Sequence, residues 1–157
     1  MASLPAFHYD AVFPASVKNV LVVVNVFQEP RALAATLAAM HERESVRLHL
    51  LTVQLPPSGH AMAFLKRVNV KRMLREDGLK ALRPLRQLLD ASRTPYKYHI
   101  EIGAWCDVVT RFAADNCCKR VVIGNNESSL LRDFVLRHDA WRIRVRLGKA
   151  GFACEMA

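Results

Sequence analysis

The chain has 157 residues, 52% of them apolar, with 23 Lys and Arg against 14 Asp and Glu for a formal charge of +9. This length fits one domain around one buried core. Its longest apolar runs, residues 20–24 among them, fall far short of the roughly 18 to 20 residues that a membrane-spanning helix needs. Residues 1–16 carry no Lys or Arg and are broken by Pro5, Asp10 and Pro14, so they do not read as a secretory signal, and a cytoplasmic location is expected.

Residues 17–27, VKNVLVVVNVF, are a β-branched run too apolar for a strand with one wet face, which places it centrally in a sheet covered on both sides. Residues 28–43 supply a helix, with Pro30 in its opening turn and Leu33, Leu37 and Met40 at helical spacing. Residues 46–55, VRLHLLTVQL, form a second strand, closed by Pro56-Pro57-Ser58-Gly59. Residues 60–91 read as a long basic helical region with Phe64, Leu65, Val68, Leu82, Leu85 and Leu89 as core positions, kinked or divided at Gly78 and Pro84. Within it Arg67, Lys71 and Arg75 recur at helical spacing as one exposed basic stripe.

A third strand is expected over residues 96–103, an amphipathic helix over 105–116 and a fourth strand over 119–125. Beyond Gly124, residues 130–138 read as a short helix and 141–147, WRIRVRL, as a fifth strand. Arg142, Arg144 and Arg146 fall on one face of that strand and Ile143, Val145 and Leu147 on the other, the pattern of a half-buried edge. Regular alternation of this kind predicts an α/β fold: a five-stranded, mostly parallel open sheet, Rossmann-like, with right-handed crossovers and helices on both faces. The expected organisation is an N-terminal extension over residues 1–16 and a single domain over 17–157.

Cys106, Cys117, Cys118 and Cys154 lack the spacing of a zinc site and the density of a disulfide framework, so free thiols and no metal are expected. His8, His41, His49, His60, His99 and His138 are scattered, without an HExxH pattern or close pairing along the chain. His138 beside Asp139 reads as a helix-terminal histidine rather than a general base, because adjacent residues do not face each other. The positive charge is concentrated in residues 66–93 and 119–149, which suits either a solvated helix face or an anionic partner.

Four fragments, VLVVVN at residues 20–25, HLLTV at 49–53, RFAADNCCKRVVIGN at 111–125 and VLRHDAWRIRVRL at 135–147, resemble the universal stress protein family in wording and order. The resemblance implies the α/β sheet above and, in nucleotide-binding members, an acidic residue at the end of the first strand and a G-x2-G-x9-G-[S/T] pattern after the fourth. Here the first position is Asn25, and the second pattern starts at Gly124 but meets Glu127 and then Arg137-His138. Aligning residues 135–147 on the family's closing helix and strand instead shortens the loop and removes the phosphate cradle. The resemblance also implies dimerisation through the closing strand, taken as residues 141–147.

A glycine between an apolar strand and a helix is where doubly wound sheets bind phosphates, through free backbone N–H groups and the helix dipole. Asn25, Val53, Gly124, Asn125, Asn126, Ser128 and Ser129 are therefore the candidate nucleotide-site residues, with capping of the following helix as the competing role for Asn125, Asn126, Ser128 and Ser129. No acid–base or metal constellation is legible, so no catalytic residue is assigned and no enzyme activity is expected. The leading expectation is a non-catalytic universal stress protein-like regulatory or interaction module with a degenerate nucleotide site and no required cofactor, acting through a protein partner or as a homodimer. The alternative is an adenine-nucleotide binder or slow ATPase using ATP or AMP. The third is nucleic-acid binding through Arg67, Lys71, Arg75, Arg142, Arg144 and Arg146.

Overall fold

The computed structural model describes residues 17–25, 29–59, 67–124, 142, 145–146, 148–149, 151 and 153–156. The described elements are β1 (Lys18–Val23), α1 (Pro30–Arg43), β2 (Val46–Gln54), α2 (Arg67–Ala91), β3 (Tyr96–Ile102), α3 (Trp105–Asp115), β4 (Arg120–Ile123) and β5 (Ala153–Met156). All five strands join one sheet in the order β3-β2-β1-β4-β5, and every neighbouring pair is parallel. The fold class read from the sequence is therefore the observed one.

The central position of β1 follows from its composition. Val20, Leu21, Val22 and Val23 are all fully buried, and their alternate side chains enter two separate cores. Val20 and Val22 meet Leu33 and Leu37 of α1, Leu48 and Leu50 of β2, and Leu82, Leu85 and Leu89 of α2. Leu21 and Val23 meet Val108, Val109 and Phe112 of α3 on the opposite face. A strand with a period of two and no wet face requires such cover on both sides.

Two elements depart from the sequence expectation. α2, read from the sequence as a region kinked or divided at Gly78 and Pro84, is one helix from Arg67 to Ala91 and is not divided at either residue. A proline inside a helix costs about 3 kcal/mol, but Leu74, Leu82, Leu85 and Leu89 lie buried on both sides of these two residues, and each buried leucine contributes about 1.5–3 kcal/mol. Burial outweighs propensity. The fifth strand is also not residues 141–147: Arg142, Val145 and Arg146 are helical, and the strand beside β4 is Ala153–Met156. Alternating Arg and apolar residues satisfied a strand pattern over a short window, but pairing with β4 was decided by which segment reached the sheet edge. The expected helix over 130–138 and the residue Arg144 lie outside the described residues, as do 1–16.

The helix ends are closed by local hydrogen bonding. After α2, Arg93 adopts a left-handed conformation (φ 54°) and the Thr94 N–H donates to the Leu89 carbonyl; after α3, Cys117 does the same (φ 52°) and the Cys118 N–H donates to the Ala113 carbonyl. In both, the residue after the left-handed one is buried, Thr94 in one case and Cys118 in the other. This is the Schellman arrangement, and it accounts for the vicinal cysteines as a helix stop.

Candidate functional site

The chain passes from β1 outward to β3 on one side, then returns to place β4 against β1 on the other. Strand order therefore reverses between β1 and β4, and in open parallel sheets ligands occupy the crevice beyond the carboxyl ends of the strands at this point. The β1–β4 register ends with Val23 opposite Ile123, so Asn25 and Gly124 follow directly off the ends of neighbouring strands; both are half-buried. Val53 sits one strand away near the end of β2, where it packs with Leu51 and Val23 on the α3 face. The Val24 N–H donates to the Leu51 carbonyl at 2.8 Å, extending β1 toward the crevice. Asn125, Asn126, Ser128 and Ser129 lie outside the described residues.

The first turn of α1 carries its own acceptor. The side chain of Glu29, the N-cap residue, accepts a hydrogen bond from the Arg31 N–H at 3.2 Å, and Pro30 at the first helical position has no N–H to offer. A carboxylate thus occupies part of the positive end of the helix that follows β1. Sequence reading missed Glu29 as the cap because the helix was taken to begin at residue 28, two residues before Pro30, where it starts.

The expected basic surface divides. Arg67, Lys71 and Arg75 are all exposed along α2, as the spacing requires. Arg142 and Arg146 are exposed but helical, and Arg146 forms a short ion pair with Asp107 in the first turn of α3. They do not form the row of like charges along a strand that was expected. The closing strand is Ala153–Met156 and not residues 141–147, so the alignment that shortened the loop used a different closing strand; the loop itself lies outside the described residues. The departures at Glu127 and Arg137-His138 remain as substitutions in the sequence.

On the α3 side of the sheet, His49 of β2 and His99 of β3 approach with Nδ1 and Nε2 3.2 Å apart, their rings stacked at 5.4 Å between centroids. Phe112 closes over both rings, 6.1 Å from His49 and 4.7 Å from His99. Burial holds the His49 imidazole well below its usual range, at about 4, reinforced by the charges of His99, Lys97 and Arg47. Burial also lowers His99, helped by Lys97 and opposed by Glu101. Both rings are neutral at pH 7. The pair was invisible in the sequence because it depends on β2–β3 register. Among the described residues there is no group of three or more metal-ligating side chains and no helix long and apolar enough to cross a membrane.

No protein-family model matches the chain, and no curated protein does. Solved structures do. A universal stress protein, UspA, from Lactobacillus plantarum superimposes with a TM-score of 0.65 at 17% identity, over 92% of this chain and 98% of that one. The chain has the universal stress protein fold. A universal stress protein in complex with cAMP matches at a TM-score of 0.59 and 17% identity, over 89% of this chain and 96% of that one. The universal stress protein of Archaeoglobus fulgidus in complex with dAMP matches at 0.56 and 16%, over 88% and 96%. At these identities the likeness concerns the universal stress protein fold alone.

Proposed function

We propose that this chain is a non-catalytic regulatory or interaction module of universal stress protein fold, with a weakened adenine-nucleotide site. The observation that carries the reading is the chemistry at the switch point. The polar residue following β1 is the uncharged Asn25, and the first turn of α1 is capped by the Glu29 carboxylate. A phosphate placed there meets like charge and competes with Glu29 for the helix N–H groups. Glu127 in place of a glycine in the segment after β4 adds a carboxylate where a phosphate nest needs converging N–H groups. Each hydrogen bond lost in this way is worth about 1 kcal/mol, several-fold in affinity.

A second reading, adenine-nucleotide binding without tight phosphate contacts, draws support from neighbours of the same fold that hold cAMP and dAMP. The two readings separate in a thermal-shift titration with ATP, ADP and AMP, each with and without magnesium, since a ligand that binds only the folded state raises the melting temperature. The first reading expects no shift at millimolar nucleotide. A shift at micromolar nucleotide overturns it in favour of the second. In this reading a homodimer uses the β5 edge rather than residues 141–147, and light scattering that returns a monomer at micromolar protein removes that part.

A further inference from the structure

A groove on the flank of the molecule is independent of the crevice. β3 is the last strand on its side, so its outer edge has no neighbour among the described strands. Tyr98, Ile100 and Ile102 alternate along it and share the face that α2 covers. α2 lies close against β3 at Gly78, where a Cβ would lie 2.6 Å from Ile100 Cγ2. From Gly78 toward the start of α2, Arg75, Lys71 and Val68 continue the same helical stripe. Between that stripe and the strand a cleft of about 180 Å³ opens, lined by Lys71, Arg75, Tyr98, Ile100 and Ile102.

The floor of the cleft is apolar and its rim cationic. Tyr98 and Ile102 are 43% and 38% exposed; Val68, expected in the core, is instead 79% exposed on the same helical stripe as Lys71 and Arg75. Arg72 and Lys80 on the same helix are paired with Glu76 and Asp77; Lys71 and Arg75 have no acidic partner among the described residues. Unpaired cations over exposed apolar side chains, beside an open strand edge, match an extended acidic chain with an apolar anchor. We infer that this groove docks an acidic segment of another protein, laid along the β3 edge, with an apolar or aromatic side chain on Tyr98 and Ile102 and carboxylates on Lys71 and Arg75.

The inference rests on the reading of the chain as an interaction module and names its surface. A second copy of this chain is a poor occupant, because a chain of net charge +9 repels its own basic face. Nucleic acid is disfavoured because one face of Tyr98 is taken: the Arg86 guanidinium sits 4.2 Å from the ring centroid, where a base would stack.

The test is selection from a displayed library of random peptides of roughly twelve residues, followed by fluorescence anisotropy of a selected peptide against polyglutamate and an oligo-dT of equal length. Selected peptides are expected to combine Asp or Glu with Phe, Leu or Ile and to bind more tightly than polyglutamate. They should lose about tenfold or more in affinity for a Lys71→Glu/Arg75→Glu protein, and several-fold for Tyr98→Ser. Val68→Glu, at the most exposed of these positions, is the second variant should Tyr98→Ser lower the melting temperature. The inference is overturned if the selected peptides are not acidic or bind the charge-reversed protein equally well. It is also overturned if polyglutamate or oligo-dT binds as tightly as they do, or if light scattering shows a dimer that the charge reversal dissociates. Peptide failure beside a flat nucleotide melt removes the groove and leaves the interaction reading on another surface; a micromolar nucleotide shift removes that reading whatever the peptides do.

Discussion

His49 is the clearest case in which a single buried group sets a measurable property. Only 6% of it is exposed, its Nε2 is buried without a hydrogen-bond partner, and its neighbours on three elements are His99, Lys97, Arg47 and Phe112. Its folded pKa of about 4 lies below the ordinary 6.5. Above pH 6.5 both folded and unfolded chains hold the ring neutral and nothing is lost. As pH falls below 6.5 the unfolded chain takes up a proton that the folded chain refuses, so stability declines until about pH 4. The loss at pH 5 is ~2 kcal/mol. His49→Leu is expected to flatten the urea-unfolding free energy between pH 7 and 5; an unchanged slope would mean that the ring is hydrated. Cys118 follows the same rule with opposite charge, burial pushing its thiol up to about 11, which fits a packing role at the end of α3 and not a reactive one.

α2 shows how an element acquires its shape from what it packs against. Gly78 would ordinarily weaken a helix by ~1 kcal/mol relative to alanine, and on sequence alone Gly78→Ala should stabilise. The structure reverses the sign, since a Cβ there would meet the branched side chain of Ile100 at 2.6 Å. Gly78→Ala is expected to cost ~1–3 kcal/mol through overpacking, and Gly78→Ala combined with Ile100→Ala to cost less than the sum of the two single changes. Additive losses in chemical denaturation would show that the helix shifts instead of clashing. The glycine was visible in the sequence; its meaning was not, because the close contact joins residues on separate elements.

At the scale of the molecule, Arg120 ties three pieces together. Its guanidinium donates to both carboxylate oxygens of Glu155 on β5 at 3.1 Å and to Glu44, the C-cap residue of α1, at 3.1 Å. Lys18 of β1 reaches the same Glu44 at 3.6 Å. The bond to Glu155 is the main cause that holds the Arg120 pKa above its usual value. Partly exposed pairs of this kind contribute ~0.5–1 kcal/mol each, less at high salt. A double-mutant cycle of Arg120→Ala with Glu155→Gln is expected to give a coupling of ~0.5–1 kcal/mol that shrinks as salt is added; zero coupling would mean that water screens the pair completely.

Hydrophobic period, turn residues and helix spacing are local properties, and they were enough to name four of the five strands, the helices α1, α2 and α3, and the α/β class. The same local signals misplaced the last strand, because WRIRVRL alternates as a strand does and nothing within residues 141–147 records that 153–156 reaches β4. They also marked Gly124, which sits where an apolar strand ends, while Asn25 was singled out by the resemblance to the universal stress protein family. What required the tertiary structure was every relation between elements: the His49–His99 pair, the contact at Gly78, the ion pairs of Arg120, and the basic groove beside β3. Each depends on register or approach between segments far apart in the chain, and those are fixed by the packing of both sheet faces, which no window along the sequence contains.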